Sequence, residues 1–314
     1  MTLDSHRLKR RVKLRDLDTL MTVVRAGGMR KAAQLLHLSQ PAVSKAVADL
    51  EDAFGAPLLD RSRQGTEVTR FGQALVKRAA AMFDELQQGA RDIHDLADPD
   101  GGEVSLACAE TLNAGLMAAA MERMTRQIPR MGFNVDSGDT PVLLSHFLMQ
   151  RVSDFVITRP YGAVMEQTIR AEPLFRERLQ VVVGRASPWA QRRKLSLEEL
   201  ADEPWILSRN EAVGDSPVVE AFRAAGLTLP RRKVLTGSLN VRHTLLASGR
   251  FVTVMPRSLL RFSGALGSLK VLPVEIGQWA MPTMVLTLAN RTLNPAATSF
   301  LDLVREMARP LADP

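Results

Sequence analysis

A single cysteine, Cys108, stands in 314 residues, so no disulfide or dithiol switch can form within one chain. Its neighbours Val104-Ser105-Leu106-Ala107 are mostly apolar and mark it as a core residue. Such cysteine usage suits a reducing cytosol. No apolar run reaches the roughly 18–20 residues of a membrane span, and no apolar stretch follows the basic N-terminus as it would in a secretory signal. The expectation is a cytoplasmic protein with no membrane partner. Catalytic signatures are missing too. The five histidines, His6, His37, His94, His146 and His243, never pair at metal-ligand spacing, and no H-E-x-x-H occurs. There is no G-x-S-x-G elbow, Walker A loop or strand-bound G-x-G-x-x-G, and Gly264-Ala265-Leu266-Gly267 is too sparse to hold a phosphate. Acidic residues are plentiful, yet none forms a convincing catalytic pair. These absences argue against an enzyme, a metal site and a cofactor.

Net charge is absent from most of the chain. Residues 79–314 hold twenty-six Lys/Arg against twenty-six Asp/Glu, whereas residues 1–78 hold fifteen against eight. The whole excess of +7 therefore lies in the first quarter. A polyanion attracted through counterion release meets that end first. The remaining composition, 46% hydrophobic and 24% charged, is ordinary for a globular protein. The length allows two or three domains, each with its own core.

Within the basic quarter, residues 1–13 carry His6, Arg7, Lys9, Arg10, Arg11 and Lys13 with little apolar content. They read as a flexible arm able to add phosphate contacts. From Asp16 to Ala26, Leu17, Leu20, Met21 and Val24 recur at helical spacing until Gly27-Gly28 ends the pattern. A second helix is expected from about Met29 to Leu36. Ser39 can cap a third, with Pro41 in its first turn, where the missing N–H costs nothing. That helix runs to Phe54 and stops at Gly55. Ala33, Leu36, Val43, Val47 and Leu50 can lock the pair from behind, while Gln40, Ser44, Lys45 and Ala48 share the opposite face. The arrangement suits a helix-turn-helix whose second helix enters a DNA major groove. Residues 57–69 read as two extended pieces around Gln64-Gly65. They form either a wing, with Arg61 and Arg63 near a backbone or minor groove, or a solvated hairpin.

Thr69 can cap a long helix from about Arg70 to Leu96. Leu75, Ala79, Met82, Leu86, Gly89, Ile93 and Leu96 recur at alternating steps of four and three, the pattern of a coiled-coil seam. Such a seam calls for the same helix of a second chain. Asp98-Pro99-Asp100-Gly101-Gly102 reads as a hinge. Beyond it, expected strands at 103–108, 131–137, 154–158, 179–183, 204–207, 232–236, 252–255, 269–274 and 283–289 alternate with helices near 112–127, 141–150, 196–201, 216–225, 239–248 and 295–311. This alternation predicts mainly parallel sheets with helices on both faces, and ligands there bind beyond the carboxyl ends of strands.

The first 100 positions resemble the LysR-type transcriptional regulators. The likeness rests on Leu14-Arg15-Asp16-Leu17, Lys31-Ala32-Ala33-Gln34-Leu35-Leu36, Leu38-Ser39-Gln40-Pro41-Ala42-Val43-Ser44, Leu50-Glu51, Phe54-Gly55, Pro57-Leu58-Leu59, Arg61 and Thr69. Downstream, Pro173-Leu174, Leu197-Glu198-Glu199-Leu200, Pro204-Trp205, Ala224-Ala225-Gly226-Leu227, Ala247-Ser248-Gly249 and Met255-Pro256-Arg257 look like that family's effector domain. The resemblance implies an N-terminal all-α winged helix-turn-helix plus a long linker helix. A C-terminal α/β periplasmic-binding-protein-like sensor of two subdomains would follow. The expected boundaries are a basic extension at 1–13, a DNA-binding domain at 14–69, a dimerisation helix at 70–98 and an effector domain at 103–314. Subdomain one would cover 103–160 and 275–314, and subdomain two 161–274. Three departures stand out: Gly28 where members often cap with a hydroxyl, an N-terminus about a dozen residues longer, and Arg151-Val152-Ser153-Asp154 where members often carry Gly before the Asp.

The resemblance turns the exposed face into base readers. Gln40 can pair with adenine, Ser44 discriminates less, Pro41 offers an apolar edge to a thymine methyl, and Lys45 meets a guanine or a phosphate. Thr111 and Asn113 after the first sensor strand, Thr140 ahead of Pro141, and Thr158 and Arg159 at the crossover are expected to line an effector pocket. Ser216 and Ser238 would do so from the second subdomain, or serve as ordinary helix caps. Dimerisation falls to Leu75, Ala79, Met82, Leu86, Ile93 and Leu96. The implied partners are double-stranded DNA, a small-molecule effector of organic-acid type, further copies of the chain as homodimer or homotetramer, and RNA polymerase. Two other functions stay open: an effector-independent DNA-architectural protein, and a soluble ligand-binding protein.

Overall fold

The computed structural model describes residues 8, 10–62, 65–97, 101–160, 166–214, 216–263, 267–276 and 281–312. The chain forms two compact units, Met1–Arg91 and Asp92–Pro314.

In the first unit, α1 (Leu14–Ala26), α2 (Met29–Leu35) and α3 (Gln40–Phe54) pack on one another. Leu17, Leu20, Val23, Val43, Val47 and Leu50 form their shared core. Ser39 caps α3, its hydroxyl accepting from the Ala42 N–H at 3.3 Å, and Pro41 sits in the first turn. Gly55 ends α3 in a left-handed conformation, φ 64°, that costs glycine little. Gly28 leaves α2 without a side-chain cap. The wing consists of β1 (Leu59–Ser62) antiparallel to β2 (Gly65–Val68). Glu51 anchors it to α3 by accepting from the Leu58 and Leu59 N–H groups at 2.8 and 3.2 Å. α4 (Arg70–Ala97) follows, capped by Thr69, whose hydroxyl accepts from the Gly72 N–H. A Cβ at position 72 would lie 2.1 Å from the Leu58 carbonyl oxygen, so only glycine lets the wing approach this turn.

The arm departs from expectation. Leu8, Arg10 and Arg11 are helical, the Val12 N–H donates to the Leu8 carbonyl, and Val12 packs on the domain core. Val12, apolar beside basic Arg10, Arg11 and Lys13, is the residue that docks it. His6, Arg7 and Lys9 lie outside the described residues.

The second unit holds two five-stranded sheets. In the first, β3 (Gly101–Cys108) lies between β4 (Arg130–Ser137) and β5 (Phe155–Thr158), parallel to both. β12 (Met281–Leu288) then runs antiparallel to β5 and to β6 (Ile169–Glu177). In the second sheet, β10 (Val252–Pro256) and β9 (Lys233–Leu235) flank β8 (Trp205–Leu207) in parallel. There β7 (Leu179–Gly184) pairs antiparallel with β10 and with β11 (Leu269–Val271). Each sheet is therefore mixed, two parallel pairings with two antiparallel, rather than mainly parallel. β3 begins at Gly101, so the final residues of the expected hinge belong to a strand, while 98–100 lie outside the described residues.

β6 moves a boundary. Residues 169–177 belong to the first sheet, so the chain enters the second subdomain at Arg178, not near 161. Pro173 explains why this strand hides in the sequence: it occupies an edge, opposite a register shift at Thr283/Met284, where a missing N–H is tolerated.

Helices cover both sheets. α5 runs through Glu110–Leu112, a π-helical stretch Asn113–Met117, and Ala118–Gln127. α6 joins Thr140–Val142 to π-helical Leu143–Leu148. α7 (Pro217–Ala224), α8 (Leu239–Ala247), α9 (Arg257–Phe262) and α10 (Pro295–Ala308) complete the set. Leu106, Leu116, Phe155 and Phe300 centre the first core, and Trp205 packs edge-on against Phe222 in the second. Cys108 is buried, as its apolar surroundings implied.

Candidate nucleic-acid interface and ligand cavity

α3 buries Val43, Val47 and Leu50 and leaves Gln40, Pro41, Lys45 and Ala48 exposed. A helix pinned along one side thus presents an amide, an apolar ring and an ammonium within its first two turns. Ser44 behaves differently: it is half-buried and its hydroxyl donates to Met29 Sδ at 3.1 Å, so it ties α3 to α2. Arg30 and Lys31 on α2 are exposed basic groups to which the sequence reading assigned no DNA contact. Arg63 lies outside the described residues, and Arg61 is placed on β1 by its backbone.

The seam on α4 splits in two. Ala79 is wholly buried in the core of its own domain and Leu75 packs there as well. This corrects their assignment to a contact between chains, because α4 must first cover the helix-turn-helix core. Met82, Leu86 and Ile93 are 50%, 58% and 71% exposed, an unpartnered apolar stripe farther along the helix. The side chain of Leu96 lies outside the described residues.

In the second unit a cavity of about 390 Å³ opens at the carboxyl end of β3. Thr111, Thr140, Thr158 and Arg159 line it. Arg159 is held from behind: one guanidinium nitrogen donates to Glu177 at 2.9 Å, another to the Thr111 hydroxyl at 3.3 Å. Glu177 is buried and also accepts from the backbone N–H of Ser258 at 3.2 Å and from its hydroxyl. Opposite, Arg242 donates to Glu211 at 2.6 Å, to the Thr253 hydroxyl at 3.2 Å and to the Val254 carbonyl at 3.1 Å. Glu110 spans the two subdomains by accepting from the Leu239 N–H at the start of α8, 2.9 Å away. Asp139 caps α6 through the Val142 N–H.

Three expected lining residues are not there. The Asn113 amide accepts from Cys108 Sγ and donates to the Asp136 carbonyl and the Ser137 hydroxyl, so it braces the strand ends. Ser216 caps α7 and donates to the Glu211 carbonyl, and Ser238 caps α8. Both serines act as helix caps outside the cavity lining. The sequence reading missed Glu110, Asp139, Glu211 and Arg242. The first two adjoin Thr111 and Thr140 and were legible as neighbours, whereas Glu211 and Arg242 meet across 31 positions without any motif. Burial pushes the Cys108 thiol well above its usual range, with Arg159 opposing the shift. Such a thiol stays protonated and unreactive.

Among the described residues no group of three or more His, Cys, Asp or Glu could hold a metal ion, and no helix is long and apolar enough to cross a membrane.

Comparison with known proteins agrees with this architecture. A family model described as LysR substrate binding domain matches residues 97–309. Another, described as bacterial regulatory helix-turn-helix protein, lysR family, matches residues 14–73. The transcriptional regulator GbpR of Azospirillum brasilense is 28% identical over 95% of this chain and 87% of its own length. PcaQ of Agrobacterium fabrum is 26% identical over 96% and 97%. Among solved structures, ArgP from Mycobacterium tuberculosis superposes with a TM-score of 0.64 at 20% identity, covering 95% of this chain and 97% of that one. Full-length CbnR complexed with its target DNA gives 0.53 at 21%, covering 95% and 100%.

Proposed function

The chain belongs to the LysR family of transcriptional regulators, and we propose that it reads a specific DNA site under the control of a small organic acid. It is not an enzyme. The exposed face of α3 supports the DNA-reading part above all: Gln40, Pro41 and Lys45 project from a helix whose other side is fixed by Val43, Val47 and Leu50. Gln40 reads adenine, Pro41 meets a thymine methyl, and Lys45 contacts a guanine or a phosphate. Arg61 and Arg63 bind the DNA backbone or minor groove, and Ser44 contributes through its hold on Met29. Dimers form through Met82, Leu86 and Ile93, and pairs of dimers make tetramers. Its DNA partner locates the protein in the cytoplasm, where promoter-bound tetramers meet RNA polymerase.

The cavity favours an acid because it offers hydroxyl protons. Thr111, Ser137 and Ser208 each accept a hydrogen bond from the protein, from Arg159, Asn113 and Glu211 respectively, leaving their own protons for a carboxylate. Ligand binding between the two sheets alters the angle between subdomains and thereby the spacing of the DNA-reading helices. Footprinting on the DNA flanking the gene, with and without candidate acids, tests the whole scheme. A protected stretch whose length changes with one acid is expected. Protection indifferent to every small molecule would favour the effector-independent architectural role.

A further inference from the structure

The charge on the cavity wall does not match a simple anion. Two guanidiniums, Arg159 and Arg242, face three carboxylates, Glu110, Asp139 and Glu211. Arg159 is already neutralised by buried Glu177 and Arg242 by Glu211. Glu110 and Asp139 are left with only backbone N–H partners, and neither is ion-paired among the described residues. A purely anionic ligand would therefore enter a wall carrying surplus negative charge.

Hydrogen-bond donors and acceptors divide the cavity in the same way. The Thr140 hydroxyl contacts both the Arg159 carbonyl, at 3.2 Å, and the Thr158 hydroxyl, at 2.8 Å. A carbonyl cannot donate, so Thr140 gives its proton to Arg159 and Thr158 gives its own to Thr140. Both threonines then offer lone pairs, not protons. They join Glu110 and Asp139 as acceptors, while Thr111, Ser137 and Ser208 supply the free protons. Arg159 adds a buried Nε with no acceptor among the described residues. One set of groups suits a carboxylate, the other a protonated amine.

From this two-sided wall we propose that the effector is a zwitterion of the amino-acid class, its ammonium held by Glu110 and Asp139 and its carboxylate by Thr111 and Arg159. This rests on the cavity being the effector site, as set out above. The acid of that reading then carries an amine as well.

Titration calorimetry on the full-length chain tests it with the twenty proteinogenic L-amino acids, each beside its deaminated acid and its decarboxylated amine. We expect one or a few amino acids to bind at least tenfold more tightly than either counterpart. Glu110→Gln keeps an acceptor for the Leu239 N–H and removes one negative charge. It should shrink the preference for the amino acid over the deaminated acid about tenfold, with an unchanged thermal midpoint reporting intact folding. A deaminated acid binding as well as or better than its amino acid would overturn the zwitterion and leave the acid-binding cavity standing. An amine binding as tightly as its amino acid would overturn it from the other end. Absence of binding across the whole panel would overturn the zwitterion, and the organic-acid reading would then stand or fall on the footprinting.

Discussion

The two units solve opposite problems with the same side-chain types. In the first, the groups proposed to read DNA bases stand on one helix, six positions from end to end, and protrude from an apolar core. In the second, the groups around the cavity come from positions as far apart as Glu110 and Arg242, and arginines are drawn inward onto carboxylates. Arg159–Glu177, Arg242–Glu211 and Arg291–Asp154 are all largely withdrawn from solvent. A protruding charge serves a polyanion, which brings its own counter-charge. A withdrawn charge needs a partner from the same chain, because burying it alone would cost several kcal/mol. The N-terminal unit is thus specified by a periodic pattern, the C-terminal one by pairings.

The sharpest way to break this contrast is to delete half of a buried pair. Asp154 accepts from Arg291 at 3.1 Å and from the Ser105 N–H at 2.9 Å, and both ionic side chains are almost fully enclosed. Asp154→Ala should lower unfolding free energy in the second unit by about 3–5 kcal/mol. Limited proteolysis during thermal unfolding should find the DNA-binding unit melting where it did before. Equal loss in both units would mean that the two do not depend on different interactions.

Next in size is the exposed stripe on α4. Burying a large apolar side chain contributes about 1.5–3 kcal/mol, so Leu86→Glu should weaken self-association at least tenfold in sedimentation velocity. Leu75→Ala should act on domain stability instead, since Leu75 packs within its own chain. Gln40→Ala should cost roughly 1–3 kcal/mol at the cognate site and leave binding to random duplex almost unchanged. Equal losses on both duplexes would show that Gln40 does not read bases.

Two small effects refine the picture. Arg151 adopts a left-handed backbone, φ 60°, at the turn before β5. That is where the family resemblance led one to look for glycine. Arg151→Gly should stabilise the chain by about 0.5–1 kcal/mol, strain relief exceeding the added chain entropy. A loss on denaturant titration would show that the arginine's contacts, including the one to Asn290 at 3.3 Å, outweigh the strain. Smallest is the half-exposed pair between Glu172 on β6 and Arg305 on α10. A hydrogen bond from Arg305 holds the Glu172 carboxyl below its ordinary range. A lowered folded-state pKa means that the stabilisation is present at neutral pH and fades as acid protonates the folded carboxylate, below about pH 4.3. Solvent screening keeps it under about 1 kcal/mol, so Glu172→Gln should lower the midpoint slightly at pH 7 and progressively less as the solution is acidified.

Much of this was legible in the sequence for identifiable reasons. Helix ends announced themselves through Ser39, Pro41, Gly55 and Thr69, because capping is decided by residues within four positions of the cap. The apolar repeat on α4 was equally visible, but whether a given position serves the domain's own core or a second chain was not. Ala79 and Leu86 are indistinguishable by spacing, and only the fold shows one covered and the other bare. β6 escaped because an edge strand with a proline shows little apolar alternation.

The local order of the chain therefore followed from its residues: three short helices and a wing, then a long amphipathic helix, then strands alternating with helices. Tertiary structure alone decided the crossover at Arg178, the brace formed by Asn113, and the pairings of Arg159 and Arg242. Periodicity and capping act over a few residues and leave a trace in the sequence. Charge pairing across 18 or 31 positions depends on where the backbone brings two side chains together, and no local pattern encodes that.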